Sequence, residues 1–362
     1  MKRKLCFLLA LIMVFSLAAC GQEQTSAATE APAEEAPAAE TPAEESSGVE
    51  FEPMTITFSM TEAEGGPVAE GIDIMKEYIS DATNGAVTID TYYASSLMAQ
   101  DMEIESIMKG TLGMNSCWFD WLSPYMPKLD VLNVPYLFAN WDHMNAYFSS
   151  EEGIALCDEI AAETGVRVFT PVYYKGARCI NLTDDIKVTS REDLNGIKIR
   201  MPGSEAWQNM GTALGANPVP LGVNELYMAL QTGTVDGQDN GFSTTIAYSF
   251  QEVTKSLTVT GHMIGAGFIS ISEELWQSMS PELQEIFNEA VEKACTHITN
   301  TVLDQEASDV AFLEENGVNV YYLSDEELAS YRQEVTDYYF SQESWVDGLD
   351  MDLYNLIANM EY

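Results

Sequence analysis

The chain has 362 residues, 46% of them hydrophobic and 10% aromatic, which gives about two domains with a substantial core and excludes a disulfide-stapled miniprotein or a wholly disordered chain. It carries 57 Asp and Glu against 16 Lys and Arg, a formal net charge of −41. So acidic a surface repels phosphate backbones, so nucleic acid is excluded as a partner.

Met1 to Lys4 is basic, and Leu5 to Ala19 is apolar apart from Cys6 and Ser16. That run is too short for a bilayer and reads as a secretory signal peptide, residues 1–19. Its ending, Leu17-Ala18-Ala19-Cys20-Gly21, resembles a bacterial lipobox, which implies cleavage before Cys20 and lipidation of its thiol. Residues 20–50 then repeat Pro, Ala and Glu in Ala31-Pro32-Ala33-Glu34-Glu35, Ala36-Pro37-Ala38-Ala39-Glu40 and Thr41-Pro42-Ala43-Glu44-Glu45. With no apolar face to bury, such a segment is expected to be an extended tether reaching on the order of 90 Å. No later stretch has the length and apolarity of a transmembrane helix. Cys117, Cys157, Cys179 and Cys295 fit no CxxC spacing and are expected to be free, buried thiols.

From Met54 to Met60 apolar and polar residues alternate, the mark of a strand with one buried face. Pro67 opens a run with Val68, Ile72, Met75, Ile79 and Ala82 at helical spacing, closed by Asn84-Gly85. A strand over Val87 to Tyr93, a helix over Asp101 to Lys109 and a strand over Thr111 to Cys117 follow, and this alternation predicts an α/β sheet covered by helices. The same grammar recurs later: a strand over Ile197 to Arg200, a helix over Glu205 to Leu214, a helix capped by Asn224 and running to Thr232, and a short strand from Val235. Ser280-Pro281-Glu282 opens a helix that meets no breaker before Gly317, about 36 residues or roughly 54 Å if continuous; either it breaks near Thr299-Asn300-Thr301 or, the reading we favour, one helix bridges two domains. We expect lobe boundaries of 51–175 with 266–305 and 176–265 with 306–362.

Enzyme signatures are absent. The three histidines, His143, His262 and His297, form no HExxH, and there is no GxSxG or P-loop. Asp236-Gly237-Gln238-Asp239-Asn240-Gly241 has Gln at the third position and Ala247 at the twelfth, so it lacks a calcium loop's ligands. No metal, cofactor or catalytic residue is expected. Arginines are scarce and therefore informative: Arg200 sits where a strand runs into Met201-Pro202-Gly203, and Arg178 follows Tyr173-Tyr174 and Gly176-Ala177. Ligands of open α/β sheets gather beyond strand ends, and guanidinium can grip a carboxylate through two parallel hydrogen bonds. Trp118, Trp121, Trp207, Tyr173 and Tyr174 are candidate apolar walls.

Three blocks carry a family resemblance: Asp193-Leu194-Asn195-Gly196-Ile197-Lys198-Ile199-Arg200-Met201-Pro202-Gly203, Ala213-Leu214-Gly215-Ala216-Asn217-Pro218-Val219-Pro220, and Glu225 through Val235-Asp236-Gly237-Gln238-Asp239-Asn240. From about residue 54 onward the chain resembles the substrate-binding proteins of tripartite ATP-independent periplasmic (TRAP) transporters, the DctP type. The resemblance implies a two-lobed α/β fold, like type II periplasmic binding proteins, with a domain-bridging helix. It implies a monomeric receptor for a small organic acid, of dicarboxylate or sugar-acid type, held at the outer face of the membrane and partnered by a TRAP permease; a receptor of an ATP-driven importer is the alternative. Residue by residue, Arg200 looks like the carboxylate-gripping arginine, Arg178 the second basic contact and Asn240 the polar contact. Thr61, Trp118, Gly203 and Ser204 look like lining positions, joined by Tyr174 and Trp207. Asp239 replaces the usual Glu, and Gly241 the usual Pro.

Overall fold

A computed structural model describes residues 50–362. The signal peptide, Cys20 and nearly all of the tether lie outside the described residues.

Among the described residues twelve strands form two six-stranded sheets. The first sheet takes β1 (Met54–Ser59), β2 (Val87–Tyr92), β3 (Met114–Cys117), β4 (Val166–Val168), β5 (Tyr173–Ala177) and, much later in the chain, β11 (Ile264–Ser272). Its order is β2-β1-β3-β11-β4, with β5 on the early half of β11. The β1 neighbours are parallel, as the strand-helix-strand connections require, whereas β11 runs antiparallel to β3, β4 and β5. All nine residues of β11 are buried, so it is the spine of this sheet.

The second sheet takes β6 (Ile180–Leu182), β7 (Lys198–Met201), β8 (Asn217–Pro220), β9 (Gly237–Gln238), β10 (Ser256–Val259) and β12 (Asn319–Tyr322), in the order β12-β10-β6-β9-β7-β8. The chain thus passes between sheets at β5 to β6 and at β10 to β11. At this double crossing Arg178 N donates to Met263 O at 2.9 Å and Gly261 N to Arg178 O at 3.0 Å, tying the two connections together.

The third link is the continuous helix Pro281–Glu315 of 35 residues, about 52 Å long, capped by the Ser280 hydroxyl. Phe287, Ala290, Val291, Ala294 and Ile298 enter the main core beside the helix Pro67–Ala82. Leu313 joins Cys179, Phe242, Leu257 and Val318 beneath the second sheet. Residues 303–308 between these two anchorages are exposed. One helix therefore serves two cores, as its unbroken apolar spacing predicted.

Local departures from the expected elements have local causes. The strand before Cys117 starts at Met114, because Thr111 N and Leu112 N both donate to Ser106 O and close off the helix Gln100–Met108. Gly222, not Asn224, caps the helix Val223–Gln231. The last lobe boundary also needs correction. The helix Asp325–Phe340 packs on Glu205–Leu214, but the terminal helix Met351–Ala358 returns to residues 127–133, Ile357 O sits 2.9 Å from His143 Nε2, and Tyr362 stacks on His143. The chain end therefore belongs with the first sheet's layer, because its apolar Ile357 finds a buried place there.

The four cysteines of the described residues are unpaired and buried. Burial pushes their thiols well above the ordinary range, so they are inert packing groups.

Candidate functional site

Between the two sheets lies a pocket with about 430 Å3 of free space, part of it open to solvent. Its walls come from separate stretches: Thr61 after β1, Gln100, Trp118 to Trp121 after β3, Lys175 and Arg178 around β5, Arg200 to Trp207 around the end of β7, and Asn240 to Tyr248 after β9.

Arg200 is brought there by β7, where it lies between Ile199 and Met201 and so points to the opposite face of the sheet from those two core residues. The following helix, Glu205–Leu214, is held by Arg191, whose guanidinium donates to Ala213 O at 2.6 Å and Thr212 O at 3.1 Å. Gly215 ends it at φ +104, where a Cβ would stand 2.2 Å from Arg191 O, so only glycine fits. This fixes Trp207 against the pocket.

The two arginines differ in what already neutralises them. Arg178 Nη1 lies 2.9 Å from Asp239 Oδ2, a pair whose side chains are 7% and 0% exposed, and donates to Asn240 Oδ1 at 3.4 Å. Its guanidinium is also sandwiched between Trp118, 5.0 Å away, and Trp207, 4.2 Å away, one tryptophan from each lobe. Asn240 is fixed by Gln238, whose Oε1 accepts from its backbone and side-chain nitrogens at 2.6 Å. Burial would push Asp239 up, but Arg178, then His262 with Nε2 at 3.6 Å, then Arg200 outweigh it and hold the carboxyl below its usual range. Asp236 meanwhile accepts from Lys198 N at 2.9 Å, so the acids of the calcium-like stretch serve protein partners. Gly241 lets the backbone pass close to β5: a Cβ there would sit 2.9 Å from Ala177 O.

Arg200 is 2% exposed, and its Nε donates to Leu221 O at 2.7 Å. Among the described residues no carboxylate pairs with it. Burial lowers its pKa to about 10, with Asp239 pulling it back up and Arg178 adding to the fall, so it remains a cation at neutral pH. A buried guanidinium without a counterion is costly unless something else supplies one, and its free edge faces the pocket.

Several wall residues escaped the sequence reading, Lys175, Tyr248 and Asp120 among them. Lys175 Nζ pairs with Glu62 Oε1 at 2.6 Å and lies 5.0 Å from the Trp118 ring. Tyr248 donates to Thr61 O across the lobes. Asp120 is buried, with Oδ1 unpartnered and Oδ2 accepting from Ser204 Oγ at 3.3 Å. Of these only Lys175 carried a usable signal, since it shares the strand face of Tyr173.

The expected residues Arg200, Arg178, Asn240, Trp118, Thr61 and Trp207 all line this pocket. Gly203 and Ser204 instead border an adjoining cleft. Tyr174 lines neither and is corrected to a core residue: β5 alternates, so Lys175 faces the pocket while Tyr174 turns the other way to pack 5.3 Å from Trp141. Tyr173 is core too, its hydroxyl 2.6 Å from Ser116 Oγ.

Two α/β lobes, joined by paired crossings and a bridging helix around a cationic, tryptophan-lined pocket, define a solute-binding protein. The chain belongs to the DctP family, the bacterial extracellular solute-binding proteins, family 7, whose sequence model matches residues 58–344. It is similar to the sialic acid-binding periplasmic protein SiaP of Vibrio cholerae, 29% identical over 74% of this chain and 83% of that one. It is also similar to the C4-dicarboxylate-binding periplasmic protein DctP of Rhodobacter capsulatus, 24% identical over 79% of this chain and 85% of the relative. A TRAP periplasmic solute binding protein from Roseobacter denitrificans, solved with bound 3-deoxy-D-manno-oct-2-ulosonic acid, superimposes with a TM-score of 0.79 at 31% identity, covering 85% of this chain and 99% of that one. The protein is accordingly an extracytoplasmic TRAP solute-binding protein, and its relatives are receptors rather than enzymes. Among the described residues no helix is long and apolar enough to cross a membrane.

Proposed function

We propose that this receptor is anchored through lipidated Cys20 to the outer face of the cell membrane, closes its lobes around one small organic acid, and delivers it as a monomer to a TRAP permease for ion-coupled uptake. The lobes are residues 51–175 with 266–305, and 176–265 with 306–340; the double crossing and the long helix are the hinges. Arg200 is the principal carboxylate anchor. Arg178 and Asn240 present a second polar edge, Trp118, Trp207 and Thr61 form the walls, and Gly203 and Ser204 border the entrance.

The observation that carries this reading is the unpaired, buried Arg200 guanidinium aimed into the pocket. Charge-assisted hydrogen bonds to it contribute about 1.5 to 3 kcal/mol each. The protein's overall negative charge opposes an anion only at long range, since at physiological salt that field fades over roughly 8 Å.

Thermal denaturation in the presence of a panel of organic acids tests the reading. A true ligand raises the unfolding temperature in a concentration-dependent way, because it binds only the folded state. A panel of mono- and dicarboxylates that leaves the transition unmoved at millimolar concentration would count against a carboxylate receptor. The anchor is tested separately: Cys20→Ala should abolish palmitate labelling and release the protein from membranes, and unchanged labelling and membrane association would refute lipidation.

A further inference from the structure

Beside the pocket, and sharing Gln100, Asp120 and Trp121 with it, opens a wider cleft with about 1610 Å3 of free space, much of it open to solvent. Asp120 stands at the junction. It is 2% exposed, yet its Oδ1 has no hydrogen-bond partner among the described residues, and Ser204 is the only side chain there that donates to its other oxygen. The nearest other donor is the Trp207 indole N–H, which is buried, makes no well-formed hydrogen bond, and leans on the Asp120 carboxylate only weakly. Burial pushes the Asp120 carboxyl up to about 6, while Trp207, Arg178 and Ser204 pull it back. It is therefore largely ionised at neutral pH.

The balance of charge in the pocket is instructive. Lys175 is neutralised by Glu62 and Arg178 by Asp239, which leaves, among the described residues lining the pocket, one cation without an ion pair, Arg200, and one anion without one, Asp120. Beyond Asp120 the cleft offers further acids, Asp101 and Glu225, with the aromatic faces of Trp121 and Tyr125, and no Lys or Arg. A ligand carboxylate on Arg200 is satisfied; a second carboxylate reaching toward the cleft meets three acids, Asp120, Asp101 and Glu225, and no cation, with only neutral donors such as Gln100 and Asn224 to offset their repulsion. A group with an O–H or N–H to give would complete Asp120.

We infer that Asp120 is a ligand-contacting, specificity-setting residue, and that the acid bound is a monocarboxylate with a hydrogen-bond donor, hydroxyl or ammonium, placed beyond its carboxylate, rather than a dicarboxylate. This rests on the reading of Arg200 as carboxylate anchor. An acceptor buried without its donor is penalised when the ligand lacks one, so the discrimination comes from rejection as much as attraction.

Calorimetric titration with four six-carbon acids separates the possibilities: D-glucuronate supplies hydroxyls, 6-aminohexanoate an ammonium, adipate a second carboxylate and hexanoate no donor at all. At least one donor-bearing acid should bind wild type about tenfold or more tightly than adipate and hexanoate. Preference for glucuronate assigns a hydroxyl to Asp120, preference for 6-aminohexanoate an ammonium. Asp120→Ala should shrink that gap to within about threefold, and Asp120→Asn should keep it for a hydroxyl but lose it for an ammonium. Neither variant should unfold earlier than wild type without ligand, since each removes a buried, poorly satisfied charge. Adipate binding as tightly as both donor acids, or a gap untouched by Asp120→Ala, overturns the inference. If in that case Arg200→Met still loses every acid, the carboxylate reading stands without it; if none of the four binds at millimolar concentration, both fall.

Discussion

Arg200→Met should lose most of its ligand affinity without losing stability. The substitution keeps a long apolar side chain, so the wall of the pocket stays filled, but it removes both the charge and the planar fork. A ligand carboxylate desolvated beside methionine has no partner, and such losses cost about 2 to 5 kcal/mol, roughly 30- to several-thousand-fold in affinity. The ligand-free protein should unfold no earlier than wild type, because the guanidinium it loses is buried without a counterion and held only by Leu221 O. In thermal denaturation the rise caused by an acid should vanish while the ligand-free transition stays in place or moves up. Arg200→Lys should be intermediate, since a point charge cannot reproduce two parallel hydrogen bonds.

Arg178→Met should do the reverse and damage the fold. Its partner Asp239 is fully buried, and without Arg178 its nearest basic neighbour is His262, 3.6 Å away, whose pKa burial lowers so that the ring is mainly neutral at neutral pH. Removing one member of a buried pair strands the other, at about 3 to 5 kcal/mol. For a folded region of this size that is a fall in unfolding temperature on the order of 5 to 10 °C. The Trp118 and Trp207 rings would also lose the cation between them, loosening a contact that joins the lobes. Asp239→Asn placed in the same chain removes the stranded charge and should restore part of the loss. The pH dependence follows from the lowered Asp239 pKa: its stabilising contribution is present above the unfolded carboxyl range and is lost as pH falls through the folded value. Without Arg178 that loss should set in at higher pH. A denaturation temperature unchanged by Arg178→Met would show that the ion pair does not hold the lobes as described.

How much of this could be read from the chain depended on whether the signal was local. The helix Glu205–Leu214 was legible to the residue, because its apolar positions, leading Gly203-Ser204 and closing Gly215 all lie in one stretch. The bridging helix was legible for the same reason. Arg200 stood out because cations are rare in this chain and its place at a strand end is a local fact. Residues 119–133 were opaque: they form short 3-10 turns with no period to detect, and they bring Asp120 and Trp121 to the pocket. Asp120 could not be singled out among 57 acids, since what distinguishes it is burial against Ser204 and Trp207, more than 80 positions away. Tyr174 was misplaced because an aromatic beside an arginine was credited without asking which strand face it occupied. The pairing of Arg178 with Asp239, 61 positions apart, is equally non-local.

The central claim, that a carboxylate is gripped by Arg200 while Arg178 is committed to Asp239, is tested most directly by calorimetric titration of the acid giving the largest thermal shift. Wild type, Arg200→Met and Arg178→Met are compared in one buffer, at a temperature where all three are folded. Arg200→Met should bind at least about 30-fold more weakly than wild type, with Arg178→Met the milder of the two in affinity. Binding by Arg200→Met within about threefold of wild type, together with its loss in folded Arg178→Met, would exchange the two roles and contradict the account.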